Sequence, residues 1–179
     1  MFSLKKARLP QAIEVGGSFY KIHTDFKYFL RLGELFQQKN AALSDYDFIY
    51  INNKPANRLE GVLALSKFMY PPQELPRIRE KNTESVIDYE IDAPYIYAAF
   101  YEQYGIDLIN ASLHWYKFLA LLHGLHDTEL NRIIAARMYT PSGKNSEWDK
   151  AQQKQHEAWK LPEVEEPDEA LDEFLSQLK

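Results

Sequence analysis

The chain has 179 residues, which fits one domain or one domain with an appendage, and it contains no cysteine. The lack of cysteine excludes disulfide frameworks, thiolate zinc sites, iron–sulfur clusters and thiol catalysis. The net charge of −5 gives no reason to expect nucleic-acid binding, and every apolar run, such as residues 118–122, is far shorter than a membrane span of about 20 residues. We therefore expect a globular protein with neither a nucleic-acid nor a membrane partner.

The hydrophobic pattern predicts a β-hairpin followed by helices. Two alternating segments flank Gly16 and Gly17, a pair typical of a two-residue hairpin turn. A lone hairpin is marginally stable, so it must pack on other elements. The expected elements, in chain order, are a hairpin over 12–15 and 18–23, a helix from 24 or 25 to about 38, a short helix or a strand over 45–51, and helices over 58–69, 92–104, 111–123, 128–138 and 146–160.

These elements predict a mainly α fold, with an N-terminal β-hairpin packed on a helical bundle and a flexible acidic C-terminal tail. The expected parts are a hairpin with helices over 1–70, a linker over 71–86, an aromatic-rich three-helix unit over 87–140, a polar helix over 141–162 and the tail over 163–179. Two interpretations of the tail stay open: a solvated acidic segment, or an amphipathic docking segment for a partner.

A histidine cluster is one candidate for a metal site. His123 and His126 are three residues apart, Asp127 follows them, and His114 lies one helix earlier. Metal ligands must converge on one point, but Gly124 ends the helix between the two neighbouring histidines. We therefore expect no metal site and assign these histidines to a helix–helix corner.

Three acids are a candidate for a catalytic site. Asp88, Glu90 and Asp92 alternate with apolar residues, so in a strand they would share one face. A solvated strand face leading into a helix N-terminus is the alternative. The sequence holds no nucleophile elbow, phosphate loop or dinucleotide fingerprint. We expect no enzymatic activity, no catalytic residue and no cofactor.

Aromatic residues are dense in the centre of the chain, with nine between residues 89 and 118 beside a single lysine. Tyrosine is enriched at protein interfaces, so the cluster is either core or a contact surface as well as core. The partner-binding residues predicted from this pattern are Tyr95, Tyr97, Tyr101, Tyr104, His114, Trp115, Tyr116 and, in the tail, Phe174.

Several segments resemble a bacteriophage family known by the label "gene product fifteen". Residues 10–27 (PQAIEVGGSFYKIHTDFK) resemble its opening, and residues 88–108 (DYEIDAPYIYAAFYEQYGIDL) resemble its central motif. Residues 113–122 (LHWYKFLALL), Arg137 and residues 158–162 (AWKLP) continue the likeness, which runs from about residue 9 to residue 162. The acidic tail is not part of the pattern.

The resemblance implies a component of the tail-assembly module of long-tailed phages of Gram-positive bacteria. It implies a tail assembly chaperone that binds the tape-measure protein, with the major tail protein as a further partner. Such a protein would act in the host cytoplasm and be absent from the mature virion. A minor structural or connector protein of the tail is the alternative. The sequence departs from the family pattern at Lys27, where an arginine is expected, and at Tyr116, where a tryptophan is expected.

A tape measure is a long amphipathic helix, so a chaperone for it needs apolar surfaces and many weak contacts. Repeated copies along the helix would provide these contacts by avidity, which predicts self-association.

Overall fold

The computed structural model describes residues 8–70, 86–140 and 146–162. It is mainly helical with an N-terminal antiparallel hairpin, which confirms the predicted fold class. The elements are β1 (Ala12–Val15), β2 (Ser18–Lys21), α1 (Phe26–Gln37), a 3-10 helix (Leu43–Ile49), α2 (Arg58–Met69), α3 (Ala93–Tyr104), α4 (Trp115–Gly124), α5 (Glu129–Arg137) and α6 (Glu147–Trp159). Most of the predicted linker and the whole acidic tail, with Phe174, lie outside the described residues. Within the described ranges, no helix has the length and apolar character needed to cross a membrane.

The hairpin forms where the glycine pair predicts it. Gly16 and Gly17 have φ values of 56° and 77°, the left-handed conformation that a type I′ turn requires at both central positions. Strand β1 packs against α2 and buries Ile13 and Val15, whereas Phe19 of β2 stays exposed. The hairpin is therefore half-covered: one face belongs to the core and the other faces solvent.

Local capping sets the helix boundaries. Side chains that accept a hydrogen bond from the first-turn backbone stand before four helices: Asp25, Asn57, Thr128 and Ser146. Helix α3 ends at Gly105, whose φ is 65°, and the Ile106 amide donates back to the Phe100 carbonyl over 3.3 Å. These signals are local in sequence, which explains why most predicted boundaries are close to the observed ones.

The sequence predicts either a short helix or a strand over residues 45–51, and the structure shows features of both. Its first part is the 3-10 helix, and its end pairs with the hairpin through a bridge between Tyr50 and Ile22. The Ile51 amide donates to the Lys21 carbonyl over 3.1 Å, which satisfies backbone groups on the outer edge of β2.

The chain divides into two compact units, and the first is discontinuous. Within the described residues, the first unit contains 8–70 and 112–119, and the second contains 86–111 and 120–162. Residues 112–119, part of the predicted three-helix unit, pack with the first unit because their backbone pairs with the segment before α1. The Phe26 amide donates to the Leu113 carbonyl over 2.9 Å, and the Trp115 amide donates to the Thr24 carbonyl over 2.7 Å.

Each unit has its own apolar core. The first is centred on the buried side chains of Phe26, Phe29, Leu32, Ile49, Leu65, Trp115 and Phe118. The second is centred on those of Ile96, Phe100, Leu108, Leu122, Leu125, Leu130 and Ile133.

Candidate functional site

Two of the predicted contact residues, Trp115 and Tyr116, donate hydrogen bonds to backbone carbonyls at the C-terminal end of α2. The Trp115 indole donates from Nε1 to the Met69 carbonyl over 2.9 Å, and the Tyr116 hydroxyl donates to the Phe68 carbonyl over 3.0 Å. Both carbonyls belong to the last turn of α2, where intrahelical partners are missing. Burial raises the pKa of Tyr116 to about 12. Both aromatic side chains are buried in the first unit, so in this conformation neither faces a partner.

His114 joins the same region to the N-terminal segment. Its Nδ1 accepts from the Tyr116 amide over 3.1 Å, so its Nε2 is assigned the proton that is shared with the Pro10 carbonyl over 2.9 Å. Burial lowers the pKa of His114, and Lys117 lowers it further, while the hydrogen bond to Pro10 opposes the shift. His114 is therefore a neutral structural group.

The three acids before α3 do not lie in a strand, and their environments differ. The Asp88 carboxylate accepts from the Glu90 and Ile91 amides over 2.9 and 2.8 Å. Glu90 is exposed, whereas Asp92 is buried. The side chains do not form one acidic face, so the geometry needed for paired acid–base chemistry is missing from this segment.

Asp92 forms a buried ion pair with Arg137 in the second unit. The two guanidinium nitrogens donate to the two carboxylate oxygens over 2.6 and 2.8 Å. Arg137 also donates to the carbonyls of Val86 (2.9 Å) and Trp159 (2.8 Å), and the Asp88 amide donates to Asp92 over 2.9 Å. This cluster, which we call the Asp92–Arg137 anchor, joins the start of α3 to the ends of α5 and α6.

The two histidines at the predicted helix–helix corner, His123 and His126, have different environments. His126 contacts the Gln103 amide group through its ring, with a shortest distance of 2.7 Å, and its backbone amide donates to Gln103 over 3.3 Å. His123 is exposed. Across the described part of the chain, no three histidine, aspartate or glutamate side chains are placed to share a metal ion.

Tyr95 and Tyr104 hold the second unit together. The Tyr95 ring meets the Trp159 ring edge-on, with centroids 5.7 Å apart. The Tyr104 hydroxyl donates to the Leu121 carbonyl over 2.9 Å. Both side chains are half-buried, so they contribute to packing and only in part to the surface.

Tyr97 and Tyr101 form an aromatic pair on the outer face of α3. Their rings are stacked with centroids 6.1 Å apart, and Tyr101 is 58% exposed. The Tyr97 hydroxyl is hydrogen-bonded to Asp107, and Ile109, two residues further on, is 71% exposed. The hydrogen bond from Asn110 holds the pKa of Asp107 below its usual value. We call Tyr97, Tyr101, Asp107 and Ile109 the α3 surface.

The family model for the bacteriophage Gp15 protein matches residues 6–161. The chain belongs to this family. No curated protein and no solved structure matches the chain. The Gp15 match contains the hairpin, the Asp92–Arg137 anchor and the α3 surface, and it ends before the acidic tail.

The sequence identified some functional candidates of this Gp15-family chain and missed others. Of the eight predicted contact residues, Tyr97 and Tyr101 come together on one surface, while Trp115 and Tyr116 are in the core. The pairing of Asp92 with Arg137 was missed because no sequence period relates residues 45 positions apart. The exposed Phe19 was also missed as a surface candidate, although strand alternation opposite Ile13 and Val15 could have indicated it.

Proposed function

We propose that this Gp15-family protein is a phage tail assembly chaperone, non-enzymatic, that binds the tape-measure protein and assists tail tube morphogenesis. The observation that carries the proposal is the α3 surface on a protein of a phage family: stacked tyrosines, and an exposed isoleucine whose amide donates to the Asp107 carboxylate that Tyr97 also binds. The major tail protein is a second proposed partner. We place the activity in the host cytoplasm during assembly and expect the protein to be absent from the mature virion.

The chemistry of the α3 surface suits an amphipathic helix. Tyr97 and Tyr101 are four residues apart and offer a broad apolar area at low conformational cost. Asp107 beside them and the exposed Glu102 next to Tyr101 favour a helix whose apolar stripe is bordered by basic residues.

The α3 surface is small, so each contact is expected to be weak. Several copies bound along one long helix would gain affinity through avidity, and weak individual contacts would allow release as the tube closes. Self-association on the tape-measure helix is therefore part of the proposal.

Co-expression with the tape-measure protein of the same phage tests the proposal. We expect the chain to raise the soluble fraction of the tape-measure protein and to be recovered with it in a pull-down. Tyr101→Ala should weaken the complex about tenfold with little change in thermal stability, because Tyr101 is exposed. Tyr70→Ala is the matched control, since Tyr70 is 65% exposed in the first unit. Failure to recover any complex would refute the proposal.

Mass spectrometry of purified virions separates the chaperone from the structural alternative. A chaperone should be absent or present in traces, whereas a connector or minor tail protein would be present in fixed proportion to other tail proteins. A stoichiometric signal would overturn our proposal in favour of that alternative.

A further inference from the structure

The hairpin exposes a face that the proposed function does not use. Ile13 and Val15 are buried on the inner face of β1, so strand alternation places Ala12 and Glu14 on the outer face. Phe19 and Lys21 of β2 complete that face, and Phe19 is 74% exposed, more than any other large apolar side chain in the described ranges. We call these four residues (12, 14, 19 and 21) the hairpin outer face.

The register gives this face a diagonal arrangement. Glu14 lies directly across from Phe19, and Ala12 lies directly across from Lys21. The two charges therefore occupy one diagonal, and the two apolar side chains occupy the other. Neither Glu14 nor Lys21 forms an ion pair with any residue that the structure describes.

We propose that the hairpin outer face binds the same face of a second copy of the chain. A two-fold axis along the Ala12–Phe19 diagonal would stack Phe19 on its counterpart. It would also set Glu14 opposite Lys21 of the second copy, and this ion pair occurs twice because the contact is symmetric. The strands of the two hairpins then cross steeply, as in orthogonal sheet packing.

The charge pattern favours a second copy over an unrelated partner, because one diagonal holds both signs and is complementary to itself under the two-fold rotation. An isologous contact also closes on itself, so it predicts a dimer rather than a filament.

The area sets the strength of this dimer. Four side chains bury much less than the roughly 800 Å² per partner of a stable interface, so the dissociation constant is expected on the order of 100 μM to 1 mM. The inference does not need tape-measure binding, and it is tested on the full-length protein alone. Its failure is therefore distinct from failure of the proposed function.

Sedimentation equilibrium of the full chain from about 10 μM to about 1 mM tests the dimer. We expect a reversible monomer–dimer equilibrium, and Phe19→Thr should raise the dissociation constant at least about tenfold. Threonine keeps the strand preference, so the melting temperature should change little. A monomer at every concentration, or an oligomer that Phe19→Thr leaves intact, would overturn the proposal.

Charge reversal gives a sharper test of the geometry. Glu14→Lys and Lys21→Glu should each weaken the homodimer about fivefold, because each sets like charges opposite one another twice. An equimolar mixture of the two variants should form a heterodimer, since both cross-pairs are then attractive. The double variant should regain the homodimer, and Glu34→Lys on the exposed side of α1 is the control. If the mixture associates no better than the single variants, the proposed two-fold arrangement is wrong.

Discussion

At the scale of single residues, buried polar groups are paired throughout the described part of the chain. No buried side-chain nitrogen or oxygen there lacks a hydrogen-bond partner. The Asp92–Arg137 anchor is the strongest case, because each partner also binds backbone groups and both are withdrawn from water. Burial of such a pair gains little net stability, but removing one charge leaves the other unpaired at high cost.

Asp92→Asn should therefore lower the free energy of unfolding by about 3–5 kcal/mol, measured by urea denaturation. Glu129→Gln is the matched control, since Glu129 pairs with Arg132 on the exposed side of α5 over 3.0 Å. The control should cost less than about 0.5 kcal/mol. Equal losses in the two variants would contradict the role assigned to the anchor.

His114 predicts a dependence of stability on pH. Burial lowers the pKa of His114 in the folded chain below its usual value of about 6.5, so the unfolded chain binds more protons in the pH range below that value. The contribution of neutral His114 to the free energy of unfolding is complete above about pH 6.5, and it is lost as the pH falls towards the pKa of His114 in the folded chain. Unfolding measured between about pH 7.5 and 5 should therefore show declining stability.

His114→Gln should make this decline shallower, whereas His123→Gln should leave it unchanged because His123 is exposed. A decline equally steep in all three proteins would show that other groups cause it.

At the scale of elements, α2 depends on residues far along the chain. Its capping signal Asn57 is local, but the carbonyls of its last turn are satisfied by Trp115 and Tyr116. Sequence patterns therefore predict where α2 begins and ends, while the side chains that complete its end can be identified only from the fold.

Tyr116→Phe removes the hydroxyl bound to the Phe68 carbonyl and should lower the free energy of unfolding by about 1–2 kcal/mol. Tyr101→Phe removes an exposed hydroxyl of the same kind and should cost less than about 0.5 kcal/mol. Chemical denaturation of both variants checks the difference. A neutral Tyr116→Phe variant would mean that water replaces the hydroxyl at the end of α2.

At the scale of the whole molecule, the sequence was sufficient to predict the fold class but not to predict how the chain divides into two compact units. The glycine turn, the helix caps and the apolar periods are all local signals, and the elements they predicted were found. The assignment of residues 112–119 to the first unit depends on a backbone bridge between Asp25 and His114, which no local signal encodes.

The candidate site was partly predictable for a related reason. An aromatic-rich helix that is apolar over most of its circumference does not reveal which side faces the core. The structure separates Tyr97 and Tyr101, on the α3 surface, from Trp115 and Tyr116, which are buried. The sequence supplied the candidates, and the packing of each unit distinguished among them.

The discontinuity of the first unit also affects synthesis of the protein. Trp115 stacks on Phe29 with centroids 5.3 Å apart, and Phe118 stacks on Phe26 at 4.7 Å, so the first core includes side chains made late. When residue 70 leaves the ribosome, this core still lacks both rings. At about 5–20 residues per second, the nascent chain carries an unfinished apolar surface for roughly 2–10 seconds. During that interval the nascent chain is itself prone to aggregation. Synonymous codons between residues 71 and 119 set the length of the interval, because they set the rate of translation.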